Sequence, residues 1–325
     1  MPLALVLAIF AAPVLATLWM TAVPGKSWSG PLPALTGAER DLARHLRGHV
    51  ETIAARPHNL GHPEALEEAA GYLETTLAGM GYTVNRQPFD EGRARNLDVV
   101  IEPADKSAPT LVIGAHYDSA FTAPGANDNG SGTAATLELA RRVADLRGKA
   151  PVRIRLAFFV NEEPPFFQTE MMGSLVYARR LKASGERVDA MLSLETMGYF
   201  RDTPGSQRYP FPLSLLYPDT GNFIAFVGTV SSRPLVRRTV ASFREVAHFP
   251  SVGGTAPAFV QGIDWSDHWA FEQAGFPALM ITDTAPFRYP HYHGVKDTPD
   301  KLDYDRLARV VTGLEQVIRR WRPAS

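Results

Sequence analysis

His116 and Asp118 sit two residues apart at the end of the uncharged run Leu111-Val-Ile-Gly-Ala115. In extended backbone, residues i and i+2 project to one side, so an imidazole and a carboxylate can serve one ligand position, the carboxylate accepting from the second ring nitrogen. Asp128 follows in Gly125-Ala-Asn-Asp-Asn-Gly-Ser-Gly132, a loop whose Asn and Gly content permits a tight turn back toward His116. Glu162 and Glu163 follow Leu156-Ala-Phe-Phe-Val160, Glu195 follows Met191-Leu-Ser-Leu194, and His291, Tyr292, His293 and Asp297 lie beyond Leu279-Met-Ile281. Singly, each has a plain structural reading as a polar strand end, a turn or a solvated acid pair. Jointly, two imidazoles and three carboxylates suit two cations sharing one carboxylate, with a further carboxylate left as a base. The chemistry of such a set is metal-assisted hydrolysis.

The elements that must position these groups alternate in type. Amphipathic spacing predicts helices over 37–55, 62–80, 131–146, 172–183, 233–246, 266–274 and 301–321, and apolar runs predict strands over 82–89, 96–102, 110–115, 152–160, 190–194 and 277–281. This pattern implies an α/β fold, a three-layer α/β/α sandwich around a largely parallel, mixed sheet. Ligands in such sheets bind beyond the carboxyl ends of the strands, where these acids and histidines repeatedly fall.

The chain has 325 residues, no cysteine, and 33 basic against 34 acidic side chains. That balance supplies no field for nucleic acid, and the missing thiols exclude disulfides, thiolate metal sites and cysteine nucleophiles. No Gly-x-Ser-x-Gly marks a serine hydrolase, and Gly130-Ser-Gly132-Thr-Ala-Ala lies too far past its strand for a dinucleotide loop. Residues 1–23 read as a signal peptide or an N-terminal membrane anchor, since Leu3 to Val23 carries no charge. Either reading places the remainder outside the cytoplasm: periplasmic, secreted or membrane-anchored facing outward. Residues 24–35 form a Pro, Gly and Ser linker, and 36–322 one catalytic domain with an insertion at about 198–229, rich in Pro and aromatics, of the kind that forms lids, binding loops or partner surfaces. His45 and His49, four apart, are expected on a solvated helix face.

His116-x-Asp118, Ala126-Asn-Asp128-Asn-Gly-Ser-Gly, Asn161-Glu-Glu163, Glu195-Thr-Met-Gly, Ser266-Asp-His-Trp and Tyr292-His293 with Asp297-Thr-Pro-Asp-Lys-Leu302 resemble, in order, the motifs of metallopeptidase family 28, the co-catalytic zinc aminopeptidases and their relatives. The resemblance spans about Thr36 to Arg320. It implies a zinc-exopeptidase-like fold and two zinc ions per chain, one held by His116, Asp128 and Glu195, the other by Asp128, Glu163 and His293. It further implies Glu162 as general base, Asp118 as the partner of His116, Tyr292 as donor to the oxyanion, and a cis peptide between Asp128 and Asn129. Three positions depart from the family pattern. Glu195 stands where Asp is common, Asn129 where a second Asp is frequent, and Pro164-Pro-Phe-Phe replaces a Gly-rich continuation at the site's rim.

The activity this implies is release of N-terminal residues from peptides. Carboxypeptidase or dipeptidase activity, a glutaminyl-cyclase-like acyl transfer and a non-catalytic ectodomain remain as alternatives on the same fold. An acid near the site would bind an α-amine; Arg201 or Arg288 would bind an α-carboxylate. Oligomeric state is not legible.

Overall fold

The computed structural model describes residues 3–324, with side chains from residue 11 onward. A helix α1 (Leu3–Thr21) and a strap of irregular chain lead to α2 (Gly37–Ile53). Thr36 and Glu39 close a capping box at the start of α2, and Leu42, Leu46, Val50 and Ile53 form its buried stripe. There follow α3 (Pro63–Gly79), β1 (Asn85–Phe89), β2 (Ala94–Ile101), β3 (Thr110–His116), α4 (Gly132–Arg142), β4 (Arg153–Phe159), α5 (Gly173–Ala183) and β5 (Val188–Glu195). The chain closes with β6 (Ile224–Thr229), α6 (Arg233–Val246), β7 (Ser251–Ala256), α7 (His268–Gln273), β8 (Ala278–Thr282), the single turn α8 (Ala285–Arg288) and α9 (Tyr304–Arg319).

The strands form one sheet in the order β1-β2-β4-β3-β5-β8-β6-β7. The central run β4, β3, β5 and β8 is parallel throughout, whereas β1/β2, β2/β4 and β6/β8 are antiparallel. Alternation within the strands divides the core into two layers. Leu111, Ile113, Ile154, Leu156 and Leu192 pack beneath α2, α4, α6 and α9, while Val112, Ala157 and Met191 face Tyr177 of α5 and Phe271 of α7. The expected three-layer α/β/α sandwich with a mixed sheet is the observed architecture.

Two strands were not legible as such. The stretch expected to be insertion ends early, because Ile224-Ala-Phe-Val-Gly-Thr229 is β6, with Ile224, Ala225 and Phe226 fully buried. β7 escapes notice because Ser251-Val-Gly-Gly-Thr-Ala256 has little apolar bulk, yet all of it but Val252 is buried, in contact with α6 and α1. Close approach accounts for its glycines: a methyl on Gly253 would meet Val240 at 2.6 Å, and one on Gly254 would meet the Tyr217 hydroxyl. His49 also departs from expectation. Its ring lies between Tyr72 Oη at 2.7 Å and Glu138 Oε1 at 3.2 Å, so this face of α2 packs on α3 and α4 rather than on water. Residues 24–35 run against the domain surface, with the Trp28 ring tilted against His248 at 4.6 Å between centroids and the Ser27 hydroxyl accepting from the Ser251 amide. Among the residues described with side chains, no helix is long and apolar enough to cross a membrane.

Candidate metal centre

The site assembles at the carboxyl ends of β3, β4, β5 and β8. His116 is the last residue of β3, and its carbonyl accepts the Thr133 hydroxyl at 2.6 Å, which ties the strand end to α4. The chain then turns through Gly125 in a left-handed conformation, φ 75°, where a Cβ would stand 2.7 Å from the Asp128 carbonyl. The Asp128–Asn129 peptide is cis, as the resemblance implies. The backbone around it is held from three directions. Asp297 accepts the amides of Asn127 and Asp128 at 2.8 and 3.1 Å and the Tyr289 hydroxyl at 2.8 Å. Asn129 donates to the Leu194 carbonyl at 2.8 Å and accepts from Gly132 and Thr196, each at 3.1 Å. Asn127 accepts from the Gly198 amide at 2.8 Å and donates to Asp283 at 3.0 Å. A carboxylate placed by so many fixed contacts is preorganised for a ligand.

That carboxylate is divided between two histidines. Asp128 Oδ1 lies 3.4 Å from His116 Nε2, and Oδ2 lies 3.0 Å from His293 Nε2. Glu195 Oε2 is 3.3 Å from His116 Nε2, and Glu163 Oε2 is 3.2 Å from His293 Nε2. Two triads result, His116–Asp128–Glu195 and Asp128–Glu163–His293, each with ligand atoms within 4.8 Å of one another. His116, Glu162 and Glu163 form a further group within the same limit. All these side chains are buried except His293, which is about one-quarter exposed. His116 Nε2, Asp128 Oδ2 and Glu163 Oε1 have no hydrogen-bond partner, although buried polar atoms ordinarily find one. Imidazole and carboxylate atoms left unpaired at one point fit a divalent cation such as zinc.

Burial, reinforced by neighbouring carboxylates, pushes Glu162 and Glu163 well above the ordinary carboxylate range. Burial carries Glu195 up to about 7 despite the opposing charge of His116. In Asp128, burial is outweighed by the adjacent imidazoles of His116 and His293, which hold it below its usual value. Burial opposes protonation of His116, but Glu162 and Glu195 draw it well above the usual imidazole range.

Glu162 lies 3.7 Å from His116 Nε2 and faces the same cavity as both triads. Asp118 lies beside His116 and makes further contacts of its own. His116 Nδ1 is nearest the Asp118 backbone carbonyl at 3.1 Å, with the carboxylate at 3.6 Å. The carboxylate also accepts the backbone amides of Glu162 and Glu163, each at 3.3 Å. It braces the strand end from which both glutamates hang. Tyr292 stacks on His293 with ring centroids 3.9 Å apart and lines the cavity. Two serines were missed as site residues: Ser266 donates to Glu195 Oε2 at 2.9 Å and is itself 2.7 Å from Ser193. Ser193 precedes Glu195 by two on β5, so strand alternation already put them on one side.

The cavity over the triads is bounded by Pro164, Phe167, Trp265 and Tyr292, with no Lys or Arg in its wall. Beside Glu195 it adjoins an apolar pocket of about 850 Å³, counted to its open mouth, lined among others by Tyr209, Tyr217, Ala225, Val227 and Val260. Neither arginine considered for a carboxylate clamp reaches either wall. Arg288 is buried and bonded to Gln207 and to the carbonyls of Tyr199 and Phe223, holding the insertion together. Arg201 lies at the surface beside Tyr199 and Lys301.

A three-layer sandwich with these donors gathered at one strand edge defines a zinc-exopeptidase fold. The profile of peptidase family M28 matches residues 96–318, and the chain belongs to that family. It is 37% identical over 300 residues to the uncharacterized protein YfbL of Escherichia coli (strain K12), covering 88% of this chain and 90% of that one. It is 28% identical over 255 residues to leucine aminopeptidase 1 of Fusarium vanettenii, covering 73% of this chain and 58% of the relative, so it spans little more than half of that longer protein. The fold is similar to that of the Legionella pneumophila LapA aminopeptidase, with a TM-score of 0.66, 16% identity, and coverage of 89% and 77%. It is likewise similar to the Fimbriiglobus ruber glutaminyl cyclase, with a TM-score of 0.63, 20% identity, and coverage of 93% and 100%.

Proposed function

We propose that this metallopeptidase is an aminopeptidase that uses two zinc ions, one held by His116, Asp128 and Glu195 and the other by Asp128, Glu163 and His293. The observation that carries the reading is the division of the Asp128 carboxylate between two histidine-containing triads. Bound there, the ions would acidify a shared water and polarise the scissile carbonyl. Glu162, in neither of these two triads and with a carboxyl raised by burial, takes the proton of the attacking water and passes it to the leaving amine. Asp118 fixes the backbone that carries Glu162 and Glu163. Tyr292 lines the same cavity, and its hydroxyl donates to the developing oxyanion.

Direction of cleavage follows from charge. The protein walls carry acidic side chains and no Lys or Arg that could clamp a substrate carboxylate, which supports recognition of a free N-terminus. The leucine aminopeptidases among the relatives agree with this, and the apolar pocket beside Glu195 suits a large apolar N-terminal side chain. The uncharged segment from Leu3 to Val23 supports a signal or anchor that places the domain outside the cytoplasm. The test is hydrolysis by the zinc-loaded protein of leucyl peptides with free or acetylated N-termini. Only the free set should be cleaved; cleavage of the blocked set counts against an aminopeptidase, and cyclisation of N-terminal glutamine without hydrolysis would assign the site to acyl transfer.

A further inference from the structure

Ten large apolar side chains stand exposed among the described residues, and eight of them belong to three segments gathered around the edge strand β7. Val14, Leu15, Leu18 and Trp19 are on α1, Phe211, Leu215 and Leu216 in the insertion, and Phe259 in the loop after β7. The segments meet at the apolar pocket. Pro210 and Leu213 of the insertion, Gly254 and Thr255 of β7 and Val260 of the following loop all line it. Thr21 of α1 comes within 3.5 Å of the position a Gly254 side chain would take, beside Tyr217 of the pocket wall.

The end of α1 is fixed to this edge rather than tethered. Thr255 donates to the Met20 carbonyl at 3.0 Å, and Arg233 donates to the Trp19 carbonyl at 2.9 Å while its guanidinium lies 4.0 Å over the indole. Arg237 reaches the Ala22 carbonyl, and Arg244 donates to those of Pro24 and Gly25, each at 2.9 Å. Yet residues 11–16 are exposed, and α1 carries no charge from Leu3 to Thr21. A helix apolar on every side is stable inside a core or in lipid, and no core of this domain receives residues 11–16. Where it joins the domain stand an indole and two guanidinium groups, the composition that settles in the headgroup layer of a bilayer.

We infer that the β7 edge is the face by which the peptidase domain rests on a lipid bilayer, with α1 entering the acyl region and Leu215 and Phe259 dipping into the interface beside the pocket mouth. This rests on the reading of the N-terminal segment as a membrane anchor. The fixed joint at Trp19 to Gly25 sets the orientation, so the pocket next to Glu195 opens at the lipid surface, and apolar chain ends lying in that surface reach it first.

The cysteine-free sequence permits a direct test in the full-length protein. Nitroxide labels are placed singly through Ala11→Cys, Leu215→Cys, Phe259→Cys and, at an exposed turn between β2 and β3, Lys106→Cys. Accessibility to oxygen and to a water-soluble nickel chelate is read on phosphatidylcholine vesicles containing phosphatidylglycerol, with zinc content and hydrolysis of a soluble peptide as the check on folding. The expected result is oxygen-biased labels at 11, 215 and 259 and a nickel-biased label at 106. Oxygen bias at 11 with water accessibility at 215 and 259 keeps the anchor and overturns the docking face. Water accessibility at all four overturns both, and lipid contact at 215 and 259 without contact at 11 upholds the face while removing the anchor.

Discussion

Replacing Asp118 by Asn separates two roles that one carboxylate could play. Each of its oxygens accepts a backbone amide, Glu162 N on one and Glu163 N on the other, and it is buried. The amide side chain keeps the shape but turns one acceptor into a donor facing a buried N–H. Loss of one hydrogen bond to a charged group costs about 1.5–3 kcal/mol. The His116 ring keeps its partner, because Nδ1 lies closer to the unaltered Asp118 carbonyl than to the carboxylate. The loss therefore falls on the strand end carrying Glu162 and Glu163. Expressed in the reaction it lowers kcat by roughly 10- to 100-fold, at 1.36 kcal/mol per decade. Zinc affinity should weaken at the Glu163–His293 position and hold at the His116–Glu195 position. Competitive chelator titrations resolve the two when the substitution is also made in a His293→Ala background, which retains only the second position. An unchanged affinity there supports the bracing role. A tenfold or larger loss in that background, with kcat otherwise preserved, would refute the reasoning and restore Asp118 as the orienter of His116.

Glu162→Gln should leave the zinc content unchanged and lower kcat by about 10²–10⁴-fold, the usual contribution of a general base; full activity would remove it from that role. Although burial alone would raise Glu138, hydrogen bonds from His49 and Arg141 hold it at about 2. The stability this contributes, roughly 3 kcal/mol by linkage, is present above the unfolded value and is lost as pH falls toward 2, so Glu138→Gln should flatten acid unfolding between about pH 4.5 and 2. Gly132→Ala would set a methyl 2.3 Å from both Asn129 Oδ1 and the Leu194 carbonyl. Thermal denaturation should show a loss of about 3 kcal/mol or more, and a wild-type Tm would contradict this packing. Glu195 and Asp267 are carried up to about 7 by burial, so the folded metal-free protein binds more protons than the unfolded chain between pH 4.5 and 7. Its Tm in chelator should therefore fall as pH rises through that window, and a rise would reverse the assigned sign.

The central sheet was legible because its strands are dense apolar runs: Leu111 to Ala115 and Leu156 to Val160 read as buried on both faces. β7 was not, since its burial comes from neighbours closing on Gly253 and Gly254 rather than from side chains of its own. The donors that gather at the centre could be found by their position at strand ends. Their supports could not, because Asp118 bracing two amides and Asn129 bonding Leu194 depend on where loops close in space. Asp297 stood in a motif, yet nothing in sequence could tell that it holds the amides of Asn127 and Asp128 across 170 and 169 positions of chain.

The supports also explain how the fold tolerates its own site. Asp118, Asp128, Glu162, Glu163, Glu195 and Asp267 are all buried around one imidazole, His116, with His293 at the rim. Carboxylates so placed repel one another and are costly to desolvate, and a fold free to relax would turn them toward water. Here relaxation is blocked by backbone. Glu162 and Glu163 are anchored through their amides, Asp128 through its own amide and that of Asn127, and Glu195 through the pairing of β5 with β8 and the Ser266 hydroxyl. The charge is thus held through backbone amides bonded to the carboxylates of Asp118 and Asp297, and a cation entering at Asp128 relieves repulsion that is already present. Stored repulsion of this kind contributes to metal affinity, and it couples binding to proton release, since raised carboxyls must ionise before they can ligate.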